Sequence, residues 1–258
     1  MVSGVLGRIV LKVLLRLSAA SIVLNVPSKE YVRRISKVET YLIPNFVSEA
    51  EVSFGKSRGG FTGPIKRVLY TGGIIESKGA FDILEVARCM PGVEFRLAGK
   101  GELPAGYELP RNAVLLGQLD RGAVLKEYER ADAFLFLSRF EGEGFSNSLA
   151  EAMAMGLPCV VSDWAANGEM ISPDGGIVVD YKEISEIVGA LARLDDPSLR
   201  RSMGLSNMDK VTRLYSEKKV VEQYIGVYRA VIKQGDFDRP AKYSDAVAAE
   251  SENSTIYL

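Results

Sequence analysis

The chain has 258 residues, 47% hydrophobic and 25% charged, enough for one large soluble domain or one and a half ordinary ones. A net charge of −1 gives no reason to expect nucleic acid, and the absence of histidine excludes histidine bases, serine–histidine triads and imidazole metal ligands from this chain. Cys89 and Cys159 lie in apolar helix and strand contexts and read as buried thiols of a reducing compartment, neither disulfide nor metal pair.

Residues 4–18 carry Arg8, Lys12 and Arg16 as one polar stripe, with Val5, Leu6, Ile9, Val10, Val13, Leu14 and Leu17 over most of the remainder. That pattern predicts an amphipathic helix. Lys12 and Arg16 interrupt the apolar core a signal peptide would need, and no apolar run reaches transmembrane length. A strand over 21–25, a short helix over 28–35 and a strand over 40–43 follow. Residues 48–64 are rich in glycine and serine and read as a linker.

From Lys66 strands and helices alternate, which implies a parallel sheet with right-handed crossovers. Strands are predicted over 67–71, 93–98, 113–116, 133–137, 159–161 and 177–179. Helices are predicted over 80–90, 122–130, 149–154, 183–194, 198–215 and 216–233. Beyond Gln234 the chain is polar without period and reads as a disordered tail. The expected division is an N-terminal α/β segment over 1–47, a linker over 48–64, a doubly wound α/β domain over 65–233 and a tail over 234–258.

The stretch 138–163 concentrates the chemistry. Glu143 and Glu151 stand with seven residues between them. The glycines between Glu141 and Phe145 let backbone approach a ligand closely. Helix formers follow from Leu149, Gly156 and Pro158 stop the helix, and Cys159, Val160 and Val161 read as a buried parallel strand. A loop that leaves a strand and opens a helix offers free N–H groups and a positive dipole end to phosphate. On spacing alone another account stays open. Ser148 and Glu151 also fit a capping box, and Glu141 and Glu143 also fit solvated loop charges. Earlier, Gly72 and Gly73 turn the chain after the first strand of the alternation and Lys78 precedes a helix start. A lysine there opposes the helix dipole, which favours a bound anion over a merely solvated side chain. Gly99, Gly101 and Gly117 follow the next two strands and fit plain turns as well as ligand approach. The single tryptophan, Trp164, reads as packing.

Glu143, Gly144, Phe145, Asn147, Ser148, the run from Glu151 to Ala154, Gly156, Pro158, Val160 and Val161 stand in one order. Together they resemble the signature of the retaining, nucleotide-sugar-dependent glycosyltransferases of family 4 (glycosyl transferases group 1), roughly E-G-F-x-N-S-x-x-E-A-M-A-x-G-x-P-V-V. The resemblance extends over roughly residues 17–233. It implies a GT-B fold in which 65–233 is the Rossmann-like, doubly wound donor-binding half. Residues 1–47 would be the truncated end of the acceptor domain, and Pro44, Asn45, Phe46 and Val47 resemble its closing turn, with phenylalanine where glycine is usual.

The implied reaction moves a sugar from a nucleotide sugar, UDP- or GDP-linked, to a polysaccharide or glycolipid acceptor with retention of configuration. No metal and no further cofactor are implied. By resemblance Glu143 would bond donor-sugar hydroxyls near the reacting carbon, and Glu151 the ribose hydroxyls. Lys78 and the amides around Asn147 and Ser148 would take the diphosphate charge. Gly72, Gly73, Gly144, Phe145, Ser146, Leu149, Gly101 and Gly117 would line the nucleotide. Gly73 stands where the family has an arginine. The apolar face of the first helix calls for a cover: a complementary acceptor-domain chain or self-association first, an anionic membrane surface second. The expected location is the cytoplasm or the inner face of its membrane. Two rivals are a non-catalytic, partner-dependent nucleotide-sugar subunit and a GT-B-like epimerase. A dinucleotide dehydrogenase is disfavoured by the missing G-x-G-x-x-G.

Overall fold

The structure, a computed structural model, describes residues 4–57, 59–171 and 174–234. An N-terminal segment runs α1 (Val5–Leu17), β1 (Ser21–Val23), α2 (Val26–Ile35) and β2 (Thr40–Leu42), and α3 (Glu49–Lys56) leads out of it. Then come β3 (Arg67–Thr71), α4 (Ala80–Cys89), β4 (Glu94–Ala98), β5 (Ala113–Gly117), α5 (Arg121–Arg130) and β6 (Ala133–Phe136). The chain continues through α6 (Asn147–Ala154), β7 (Cys159–Ser162), α7 (Asn167–Met170), β8 (Gly176–Val179), α8 (Ile184–Arg193), α9 (Pro197–Lys210) and α10 (Glu217–Gln234).

β6 is apolar and buried at every position, as a strand covered on both faces must be. It pairs in parallel with β3 on one side and β7 on the other. The full sheet has the order β5-β4-β3-β6-β7-β8, every pairing parallel. Between β3 and β6 the direction of winding reverses. Such a switch point opens a crevice beyond the carboxyl ends of the two strands, and doubly wound sheets hold their ligands there. Leu69, Tyr70, Phe95, Leu97, Phe134, Phe136 and Val160 fill the core around it.

β1 and β2 form a separate parallel pair. α10 returns to cover it: Val220 and Val227 pack with Ile43 against Ile22 and Tyr41. Val47 N–H donates to Tyr215 O at 2.8 Å and Glu217 N–H donates to Val47 O at 3.2 Å, so the two crossings of the chain between its halves lie side by side.

Several expectations change. The linker begins with a helix. Ser48 caps α3, and the Ser48 N–H donates in turn to Glu51 Oε2 at 2.8 Å, a reciprocal capping box whose signal outweighs the glycines that follow. The helix expected over 198–215 ends at Lys210, and Val211–Tyr215 form a π-helical turn before α10. α10 itself packs on the N-terminal segment through Val220 and Val227. Cys89 is exposed at the end of α4, whereas burial pushes the Cys159 thiol far above its usual range. The expected tail beyond Gln234 lies outside the described residues. Leu6, Ile9, Val10, Val13, Leu14 and Leu17 of α1 are exposed and only Leu15 among its leucines is buried. Among the described residues no helix is long and apolar enough to cross a membrane.

Candidate active site

β3 and β6 end next to each other, and the loops that leave them meet over the crevice. A 3-10 turn over Glu76–Lys78 follows β3 and sets Lys78 just before α4. The loop after β6 is tied to it by Arg139 N–H donating to Ser77 O at 2.9 Å. Arg139 also pairs with Asp82 of α4, which fixes both loops to one helix end. Lys78 Nζ then donates to Glu143 Oε2 at 2.7 Å, and Ser138 Oγ donates to the same oxygen at 2.6 Å. The ammonium also lies 4.6 Å from the centre of the Phe140 ring. The Glu143 side chain is 8% exposed and that of Lys78 is 22% exposed. A pair this poorly hydrated attracts strongly, yet one face stays open to a ligand. Burial, and next the charge of Glu143, hold the Tyr70 hydroxyl well above its usual range, so it remains a donor, to Gly73 O at 2.8 Å.

α6 opens on the same crevice. Its cap is Ser146, whose Oγ accepts from Leu149 N–H at 3.3 Å, so the positive helix end begins at Asn147 and Ser148. The capping box considered for Ser148 and Glu151 does not form. Glu151 turns to α5 instead: Arg121 Nη1 donates to its Oε1 at 2.9 Å, and Tyr128 Oη lies 3.1 Å from its Oε2. Tyr128 is fully buried and also lies 3.0 Å from Ser148 O and 2.7 Å from Thr71 Oγ1. Burial, and next the Glu151 charge, raise the Tyr128 hydroxyl well above its usual range, which keeps its proton in place for Glu151. Arg121 pairs with Glu51 of α3 as well.

The glycines divide by role. Gly72 N–H donates to Ala98 O at 2.9 Å and Ile74 N–H to Lys100 O at 2.9 Å, so the turns after β3 and β4 lie backbone on backbone. A Cβ on Gly99 would stand 1.7 Å from Gly72 O. Gly101 continues the second turn. Gly117 closes β5, two strands away from the switch point, and accepts from Gly99 N–H at 2.8 Å. Gly144 O accepts from Asn25 Nδ2 at 2.8 Å, and Asn147 Oδ1 from Asn45 Nδ2 at 2.9 Å, so the N-terminal segment touches the loop twice. Phe145 packs edge-to-face on Tyr215 at 5.1 Å and the Leu149 side chain is wholly in the core. These two side chains shape the loop from the core side. Among the described residues no group of three His, Cys, Asp or Glu is placed to hold a metal ion.

Arg121, Tyr128, Ser138 and Asn25 were not singled out from sequence. Their contacts to Glu151, Glu143 and Gly144 span 5 to 119 positions, and no local spacing signals them.

The family model of the glycosyl transferases group 1 matches residues 65–196, just over half of the chain. The chain belongs to this family. It is similar to the phosphatidyl-myo-inositol mannosyltransferase of Mycobacterium leprae, 27% identical over 75% of this chain and 54% of the relative. It is 29% identical to the N-acetyl-alpha-D-glucosaminyl L-malate synthase of Bacillus anthracis over 51% of this chain and 34% of that one. The chain thus spans about half, or less, of these relatives' own length. Among solved structures, the sucrose-phosphate synthase of Thermosynechococcus elongatus superposes with a TM-score of 0.74 at 22% identity, over 89% of this chain and 62% of that one. Anabaena HepE, crystallised with UDP-glucose, gives 0.71 at 13% identity over 87% and 68%. These likenesses confirm the GT-B-type fold of the group 1 glycosyl transferases.

The departure at Gly73 is open to test. Its backbone is outside the left-handed region, and an added Cβ would meet only Lys100 O at 3.8 Å and Ile75 Cγ1 at 3.9 Å, ordinary contacts. Gly73→Arg should therefore fold. Bonds to charged groups contribute roughly 1.5–3 kcal/mol, less the cost of ordering the side chain, so nucleoside diphosphate binding should tighten about tenfold at low salt. The gain should shrink as salt is added. Calorimetry at two ionic strengths checks this; unchanged affinity would mean the new guanidinium never reaches the phosphates.

Proposed function

We propose that this chain is the nucleotide-sugar-binding part of a retaining glycosyltransferase that delivers a sugar to a glycan or glycolipid acceptor. The observation that carries the reading is the Lys78–Glu143 pair at the switch point, two residues 65 positions apart that share one bond. In this reading the incoming diphosphate draws Lys78 toward its developing negative charge, together with the open end of α6. Glu143 is thereby released to accept hydroxyls of the donor sugar beside the reacting carbon. Glu151, held by Tyr128 and Arg121, takes the ribose hydroxyls. The donor is a UDP- or GDP-sugar.

Calorimetry of the folded chain against UDP-, GDP- and ADP-sugars tests the reading. Saturable binding of at least one is expected, and silence across the set would sink it. The exposed face of α1 supports a further reading, that a protein surface covers it. Light scattering should show the chain associating with itself, and Leu6→Glu with Leu14→Glu should restore a monomer. A monomer before any substitution would remove this second reading.

A further inference from the structure

A second hollow of 430 Å³ opens where α2 faces the loop after β6, and its size falls within the range of about 300–1,000 Å³ typical of small-molecule sites. It shares Glu143 with the candidate site but includes neither Lys78 nor Glu151. Its walls are Tyr31 and Ser28 of α2 on one side and Glu141, Glu143, Asp163 and Trp164 on the other. The walls are held in place. Asn25 caps α2 through Ser28 N–H at 2.8 Å and with its other end donates to Gly144 O. Trp164 Nε1 donates to Phe140 O at 3.0 Å, which fixes the indole to the loop that carries Glu143. The next residue, Ala165, has φ 51°, a left-handed conformation that a non-glycine residue adopts at a cost and that collects at ligand sites.

The lining chemistry is selective. Two aromatic side chains offer apolar faces with polar tips, suited to the C–H face of a pyranose ring. Three carboxylates accept hydroxyl protons in charge-assisted bonds. No lysine or arginine lines the hollow. Lys78 offsets Glu143 from outside the hollow, but the positive end of α2, about half a unit charge and already capped by Asn25, does not balance the remaining Glu141 and Asp163. An acidic or phosphorylated ring would enter against that field and leave its charge unpaired.

Resting on the glycosyltransferase reading above, we propose that this hollow is the acceptor site and that it takes a neutral, polyhydroxylated sugar ring, excluding phosphorylated and acidic ones. Trp164 is the only tryptophan of the chain, so its emission reports on the two hollows it lines, this one and a neighbour bounded by Val178 and Tyr181, and Tyr31→Ala, which touches only the first, tells them apart. The probes are methyl glycosides of mannose, glucose and N-acetylglucosamine, against glucose 6-phosphate and glucuronic acid. Each is titrated with and without the nucleoside diphosphate. A saturable change is expected with at least one neutral glycoside, and a response at least tenfold weaker with both charged sugars. Tyr31→Ala should weaken the neutral response at least fivefold and leave nucleotide affinity by calorimetry unchanged. Asp163→Lys, an exposed position that tolerates the change, should narrow or reverse the preference against glucose 6-phosphate. An emission unmoved by every neutral glycoside, or moved more strongly by the charged ones, overturns the proposal. Because nucleotide affinity is read separately, its absence would remove the function proposed above without deciding the hollow, which the titrations lacking nucleotide then decide.

Discussion

Glu143→Ala should lower sugar transfer by about a hundredfold or more, the scale seen when one preorganised polar group is removed from a transition state, while the bare nucleoside diphosphate still binds. The expectation follows from where the carboxylate sits. It is nearly buried, holds Lys78 and Ser138, and borders the hollow proposed for the acceptor, which Glu151 does not line. Removing it frees Lys78 for phosphate, so affinity for the nucleotide alone should hold or rise slightly. Glu151→Gln should act the other way. Tyr128 can still donate to the amide oxygen, which keeps the fold, but the charge that would bind ribose hydroxyls is gone. Loss of one charge-assisted bond of roughly 1.5–3 kcal/mol predicts nucleotide affinity about tenfold or more weaker, with melting temperature nearly kept. Calorimetry with nucleotide and with sugar nucleotide, beside turnover of each variant, separates the two. Equal losses for both ligands at Glu143 would contradict its role at the sugar.

Gly99→Ala is expected to be the most damaging single-methyl change in the sheet domain. The backbone there has φ 157°, and the new Cβ would overlap Gly72 O at 1.7 Å. Neither group is a side chain that can swing away, so the turns after β3 and β4 must part and their mutual bonds stretch. Backbone strain of this kind costs about 1–3 kcal/mol before the overlap is counted. A drop in melting temperature of about 5 °C or more, with loss of nucleotide binding, is expected. Gly189 supplies the control. It is exposed within α8 with nothing near its missing Cβ, so Gly189→Ala should stabilise by about 0.5–1 kcal/mol. Thermal melts of the two variants should move in opposite directions; a melt of Gly99→Ala at the unchanged temperature would contradict the contact between the turns.

The parallel sheet was legible because its strands are short apolar runs spaced by glycine turns, and β6 and β7 are covered on both faces. That Glu143 and Lys78 serve one site followed only from family resemblance, and the direct bond between them was not legible, since nothing within five residues of either announces the other. Of the two accounts left open at the start of α6, the capping box of Ser148 and Glu151 is the one that fails: Ser146 is the cap, and Glu151 leaves for Tyr128 and Arg121. α3 was hidden by the glycines and serines of residues 53–63, although Ser48 and Glu51 spelled its start. The hollow beside Glu143 comes from α2 and the loop after β7, elements that composition assigns to different parts of the chain.

The return of α10 to the β1–β2 pair has a consequence for synthesis. Ile43 reaches its buried partners only through Val220 and Val227, near the other end of the described chain. Loop closure over such a span waits until both ends exist. On the ribosome the six-stranded sheet, whose neighbours are mostly close in sequence, can close while the segment made before it is still uncovered. The face of the β1–β2 pair that α10 covers is therefore completed late, after the sheet has closed, and its apolar side chains at Ile22, Tyr41 and Ile43 wait for Val220 and Val227, an interval in which a nascent-chain chaperone would find them.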